Sequence, residues 1–318
     1  MKKEIGISVL LLVLCVVTAI LNPKFISPVN LGNMANVIGL FGIFSIGLGL
    51  VIITGGIDLS VGSMFALCGV LLAMSLREWH WPWPLAAGAA IAIPMLLGWA
   101  HGALITRMRI QPFIITLCGL LVYRGLARFI ANDNTKGFGE AEGFEHLRDV
   151  AVGKFVGLPM PFVLLLLIAG VMWVVLHRST YGRYLFAVGR NEEAARFSGI
   201  NTRRVIASSY VVAGLLTGIS GILLAFYTNS ISPSNHGNFY ELYGIAAAVL
   251  GGCSLRGGEG SILGIVIGTA LLQVLQNLVN LLGIPSPLNF AVMGAAVLVG
   301  VLSDQLFQRR AERKLARR

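Results

Sequence analysis

Charge is scarce in this chain. Only 12% of its 318 residues are Asp, Glu, Lys or Arg, against about 25% in an average soluble domain. Apolar residues reach 56% and mean hydropathy is +0.81. That composition excludes a disordered chain, a collagen, a disulfide-stapled miniprotein and an ordinary cytosolic enzyme. Cysteine is scarce too. Cys15, Cys68, Cys118 and Cys253 form no C-x-x-C pair and read as small buried hydrophobes, not disulfides or metal ligands. His80, His101, His146, His177 and His236 are scattered without ligand spacing. There is no nucleophile elbow, no H-E-x-x-H and no Walker A, because Gly153-Lys154 is followed by Phe155. No catalytic residue, metal site or cofactor is expected here. If ATP drives this protein, the ATPase is another chain.

What remains is long charge-free runs: 25–57, 59–76, 79–106, 155–177, 205–240 and 260–303. Crossing ~30 Å of hydrocarbon takes roughly 20 apolar residues in a helix. Stretches such as 163–175 and 205–224 do not alternate with period two, so they are not barrel strands. The fold class expected is all-α: a polytopic helical membrane protein forming one transmembrane domain over 1–318. Ten spans are expected at 5–22, 34–54, 60–76, 84–106, 113–131, 160–177, 207–228, 241–252, 262–282 and 288–304. The eighth is short and rich in Ala and Gly, as a half-helix packed inside the protein would be. Lys2 and Lys3 ahead of Ile5–Leu21 admit a signal peptide, but the long apolar part reads better as an uncleaved anchor.

Short loops rich in Lys and Arg stay in the cytoplasm. With the N-terminus inside and ten spans, seventeen basic residues lie inside and five outside, with Arg124 and Arg128 within a span. Both ends are then cytoplasmic, including a basic tail at 305–318. The net charge of +10 is topology plus attraction to anionic lipid, not a nucleic-acid footprint. The 132–159 loop is the one long extracytoplasmic segment. Trp79, Trp81 and Trp83 read as an aromatic belt.

Four patterns carry functional expectations. In the first, Thr54-Gly55-Gly56-Ile57-Asp58-Leu59-Ser60-Val61-Gly62-Ser63 breaks two apolar helices with glycines and one carboxylate. It reads as a tight turn capped by Asp58 or Ser60, or as a functional break. In the second, the 178–206 loop, Asn191 suits an N-cap, Glu192 and Glu193 a first turn, Arg196 a last turn and Gly199 a C′ position. That predicts a short helix with a small face at Ala194 and Ala195, either a solvated loop helix or a docking element. In the third, Gly251-Gly252 through Gly260-Ser261 repeats the plan of the first on the same expected side, as an internal duplication would. In the fourth, Arg124 and Arg128 share a helix face and either snorkel outward or line a polar path, with Gln273 and Asn277 as neutral partners. Asp58, Glu241 and Asp304 are the only carboxylates in or near spans, and all sit near expected ends, which weakens an ion-coupled carrier reading.

The run from Ile53 to Ser63 resembles the signature of the ribose-type permeases of bacterial ABC sugar importers. So does 178–200, through Gly182-Arg183, Ala187-Val188-Gly189, Asn191, Ala194-Ala195 and Ser198-Gly199-Ile200. Pro112–Leu117 with Arg124-Gly125, and Gly251-Gly252 with Gly258 and Gly260, fit as well; Cys253–Arg256 departs from the expected small linker. The resemblance covers roughly 30–305. It implies a transporter subunit, not an enzyme, in the bacterial cytoplasmic (inner) membrane. It implies a second permease copy, identical or not, and a cytoplasmic ATPase holding ATP and Mg. It also implies a periplasmic binding protein that delivers a ribose-like sugar. ATPase coupling then falls to Gly182, Arg183, Asn191, Glu192, Glu193, Ala194, Ala195 and Gly199. The path or gate falls to Asp58, Ser60, Arg124, Arg128, Gln273 and Asn277, with Gly55, Gly56, Gly62, Gly251 and Gly252 as motif glycines. The rivals are an ion-coupled sugar carrier and a passive solute channel.

Overall fold

A computed structural model describes residues 2–139, 143–285 and a few positions between 288 and 298. Most of the expected tenth span, Asp304, the basic tail and two carboxylates of the 132–159 loop, Glu140 and Glu142, lie outside the described residues.

Among the described residues the secondary structure is helical, apart from one two-stranded hairpin. Among the described residues seven helices are long and apolar enough to cross a membrane: α1 (Lys2–Leu21), α2 (Pro28–Ile53), α4 (Trp83–Met108), α5 (Pro112–Ile130), α7 (Met160–His177), α10 (Thr202–Thr228) and α12 (Ile262–Leu281). Two apolar helices are shorter, α3 (Val61–Arg77) and α11 (Tyr240–Leu250). At 1.5 Å per residue they reach about 25 and 16 Å, too little for the full ~30 Å. The remaining helices are α6 (Glu145–Val152), α8 (Thr180–Arg190) and α9 (Glu192–Phe197), and the hairpin is β1 (Lys154–Phe155) with β2 (Leu158–Pro159).

Helix starts at the arginine-rich end follow side-chain capping, where an oxygen satisfies an orphan N–H of the first turn. Ser179 accepts from the Gly182 N–H (3.2 Å), Asn191 from Ala194 (2.9 Å), Asn201 from Arg204 (3.1 Å) and Ser261 from Gly264 (3.4 Å).

α2 lies at the centre, its second half wholly buried, while α1 is peripheral and almost fully exposed. α10 and α4 pack most closely, and small residues are the reason. Gly98 and Gly102 of α4 meet Tyr210 and Ala207 of α10, and Gly214 and Gly218 of α10 meet Pro94 and Ile91 of α4. Lipid gives helices no hydrophobic drive to associate, so close backbone contact across small-xxx-small pairs must supply it.

The 132–159 loop folds as α6 and the hairpin. Phe138 stacks on Phe226 of α10 at 4.1 Å and Phe144 packs beside both. The 178–206 loop holds two helices rather than one, because Ser179 starts α8 before Asn191 starts α9.

Candidate functional site

The first glycine break reverses the chain into the bundle. Gly55 adopts φ +81°, a conformation that favours glycine. Gly56 has no room for a side chain, since a Cβ there would lie 2.6 Å from the Tyr210 hydroxyl. The chain then climbs inward. The Ile57 carbonyl accepts from Tyr210 Oη (3.1 Å) and Thr116 Oγ1 (3.4 Å). Asp58 is only 2% exposed and accepts from both the Ser60 N–H (2.9 Å) and Ser60 Oγ (2.6 Å). Asp58 therefore organises the start of α3, while Ser60 makes no capping bond of its own.

α11 begins at the same depth. The 229–239 segment pairs Ile231 with Lys136 and then turns into Tyr240 through Gly237 and Phe239, both at positive φ. Glu241, 6% exposed, accepts from the Gly62 N–H. A Cβ on Gly62 would collide with the Glu241 carboxylate and the Gly237 carbonyl, so glycine is required there. From this meeting point α3 and α11 run to opposite ends. Their positive dipole ends face one another, with the carboxylates of Asp58 and Glu241 between them.

Arg124 ties the two starts together. Its guanidinium donates to the carbonyls of Gly62 (3.2 Å), Pro233 (3.2 Å) and His236 (2.8 Å). Beside it Tyr123 Oη and His101 Nε2 share a hydrogen bond of 2.7 Å, and Asp58 acts electrostatically on His101, Tyr123 and Tyr210. The histidines read as scattered in sequence, yet His101 and His236 both belong to this buried polar centre. His101 Nδ1 and His236 Nε2 have no hydrogen-bond partner.

Asp58 and Glu241 sit beside helix ends, as expected, Asp58 just ahead of α3 and Glu241 in the first turn of α11, but those ends are buried inside the bundle, which composition does not reveal.

The other path candidates are placed apart. Arg128, four residues beyond Arg124, is exposed and forms a bidentate pair with Asp133 (2.7 and 2.9 Å). Gln273 is buried against Phe41, Ser45, Tyr243 and Thr269. Asn277 exchanges two amide hydrogen bonds with Asn30 of α2 (2.8 and 3.1 Å). The two therefore sit on the α2 side, whereas α5 packs on α3 and α4, so they are not partners of the arginines.

At the arginine-rich end the two glycine breaks meet. The Gly258 N–H donates to the Ile53 carbonyl (2.8 Å), and a Cβ on Gly257 would lie 2.9 Å from Gly55 N. Gly251 packs on Gly264, and Gly252 takes φ +94°. Alongside, α9 forms one wall of an open cleft of about 900 Å³, with Thr54–Gly56, Thr106, Arg109, Gln111, Arg203 and Tyr210 among its other lining groups. Glu192, Glu193 and Gly199 face this cleft, and Glu192 accepts from Thr202 Oγ1 (3.1 Å). Ala194 is exposed, whereas Ala195 is buried, so the two do not form one outward small face. Phe197, 85% exposed, projects instead, with the Arg196 guanidinium 5.8 Å from its ring. Gly182 packs on the Leu176 carbonyl, and exposed Arg183 donates to Thr180 Oγ1 (2.8 Å).

Residues 30–302 match the family model described as branched-chain amino acid transport system / permease component. The chain is 38% identical over 312 residues to the ribose import permease of Bacillus subtilis strain 168, covering 95% of this chain and 93% of that one. It is 37% identical to the ribose import permease of Escherichia coli K12, covering 92% and 91%. It is 30% identical to the fructose import permease of Rhizobium meliloti, covering 93% and 83%. No solved structure matches the chain. With matches over nearly its whole length and seven candidate spans, the chain belongs to the branched-chain amino acid transport system / permease component family, a multi-pass transport subunit and not an enzyme.

Proposed function

We propose that this chain is the membrane-spanning subunit of an ATP-driven importer for a monosaccharide, a ribose-like pentose or related sugar. The observation that carries this is the near end-to-end similarity to two ribose import permeases. The subunit sits in the bacterial cytoplasmic membrane with its arginine-rich end and both termini in the cytoplasm, as the distribution of Lys and Arg supports. A second permease copy completes the conduit. A periplasmic binding protein docks at the α6 end, and a separate ATPase with its ATP and Mg engages α8 and α9.

In this reading ATP binding closes the ATPase against α9 and shifts the bundle between two arrangements. The energy enters as different affinity for the two states. Gly182, Arg183, Asn191, Glu192, Glu193, Ala194, Ala195 and Gly199 build the coupling element; Ala194 and Phe197 present outward and Ala195 anchors inward. Arg124, Asp58 and Ser60 hold the gate region as structure, not as sugar ligands lining an open path.

The deciding experiment is Ala194→Arg in a complex reconstituted with its ATPase and binding protein. Ala194 is exposed, so the variant leaves the fold intact and acts on the partner. Sugar-stimulated hydrolysis and uptake are expected to fall together; unchanged values would remove α9 from coupling.

Buried Asp58 and Glu241 favour a second reading, an ion-coupled sugar carrier. Both carboxylates already accept local hydrogen bonds, Asp58 from Ser60 and Glu241 from the Gly62 N–H. Labelled ribose entering proteoliposomes that hold this chain alone, under an ion gradient and without nucleotide, would establish that reading instead.

A further inference from the structure

We propose that Gly189 is a positioning residue for coupling, the seat through which α8 carries both glycine breaks as one rigid body. The proposal rests on the coupling role given above to α8 and α9. It adds how a push there reaches α3 and α11 together.

Three chain segments far apart in sequence meet at Gly189, and they meet backbone to backbone. A Cβ on Gly189 would overlap the Ile53 carbonyl oxygen and lie 2.5 Å from Gly258 N. Those two atoms are themselves hydrogen-bonded at 2.8 Å. A Cβ on Gly257 would lie 2.7 Å from Gly189 O and 2.9 Å from Gly55 N. One on Gly258 would lie 3.0 Å from Arg190 N and 3.1 Å from Arg190 Cα. Contacts through long side chains absorb small displacements by changing rotamer. A contact of bare backbone has no such slack, so a shift of α8 must move Ile53 and Gly258 with it.

Both directions out of this joint are short. Asn191 alone separates α8 from α9. Its N–H donates to the Ala187 carbonyl at the end of α8 (3.1 Å), and its side chain caps α9. No loop intervenes to take up a push. On the other side, Ile53 ends α2 and leads through Gly55 to Asp58 and the start of α3. Gly258 joins the end of α11 to Ser261, the cap of α12. The joint thus bears on the last residue of α2 and on the two connecting segments, the one leading to α3 and the one joining α11 to α12. In the proposal, a movement of α9 biases it as a whole.

The test uses this chain assembled with its ATPase and binding protein in liposomes, with hydrolysis and ribose uptake measured on the same preparation. Gly189→Ala forces a Cβ against the Ile53 carbonyl and should lower the amount of complex that assembles; in the assembled fraction, isolated by size exclusion, hydrolysis per complex should stay within about twofold of the parent while sugar moved per ATP falls about tenfold, as for a lost coupling. An unchanged ratio overturns the proposal. Where Gly189→Ala prevents assembly, the pair Arg190→Cys with Gly258→Cys gives a second reading. A Cβ on Gly258 would lie 3.1 Å from Arg190 Cα, so the two positions are in direct contact. If α8 and the breaks move together, oxidation leaves transport near its reduced level. Transport lost on oxidation and restored by reduction, with neither single variant affected, overturns the proposal. Ala194→Arg separates the two layers. If it changes nothing, the coupling role of α9 falls. If it abolishes uptake while Gly189→Ala leaves the ratio intact, only the Gly189 joint falls.

Discussion

Replacing Arg124 by glutamine tests whether one side chain holds the starts of α3 and the 229–239 segment together. The guanidinium gives up three hydrogen bonds of 2.8–3.2 Å to the carbonyls of Gly62, Pro233 and His236. A hydrogen bond involving a charged group contributes about 1.5–3 kcal/mol. The three share one group and Arg124 is half-buried, so water recovers part of the loss and the terms do not add. The expected destabilisation is about 2–4 kcal/mol. Arg124→Lys should lose about half of that, because an ammonium cannot span three carbonyls as a planar fork does. Unfolding in mixed micelles with increasing denaturing detergent, followed by tryptophan fluorescence, measures the loss. An Arg124→Gln protein within about 0.5 kcal/mol of the parent would refute the clamp.

Other substitutions follow from the same contacts. Gly62→Ala drives a Cβ into the Glu241 carboxylate and should fail to assemble, whereas Gly125→Ala meets nothing within 4 Å and should raise stability by about 0.5–1 kcal/mol; thermal aggregation scans compare the two. Asn277→Ala breaks both amide bonds to Asn30 and should cost about 1 kcal/mol, with a double-mutant cycle against Asn30→Ala returning a coupling of similar size. Arg128→Ala should leave the unfolding midpoint at neutral pH unchanged, because its pair with Asp133 is exposed. The Arg128 hydrogen bonds hold the Asp133 carboxyl below the ordinary carboxylate range, so whatever this pair contributes is present above about pH 4 and lost only as acid protonates Asp133. A midpoint that moved between pH 5 and 8 on removing Arg128 would contradict this.

The charge-free runs, read alone, locate the long helices α4, α5, α7 and α12 to within two residues, while α2 and α10 begin six and five residues ahead of their expected starts. The reason is that lipid imposes a local rule, about 20 apolar residues with every backbone group bonded within its own helix. Capping is equally local, so Asn191 through Gly199 announces α9 and the Gly-Gly pairs announce the breaks. Depth and partnership are not local. Nothing near Asp58 or Glu241 in the chain marks them as buried in the middle of the bundle. Nothing in a spacing of four separates Arg124, bonded to carbonyls more than a hundred residues away, from Arg128 at the surface. The Asn30–Asn277 pair, the His101–Tyr123 pair and the seat at Gly189 likewise exist only once distant helices have packed. Local composition set which segments become helices and where they stop; which of their ends meet was decided by close packing of small residues between helices, a property of the assembled bundle.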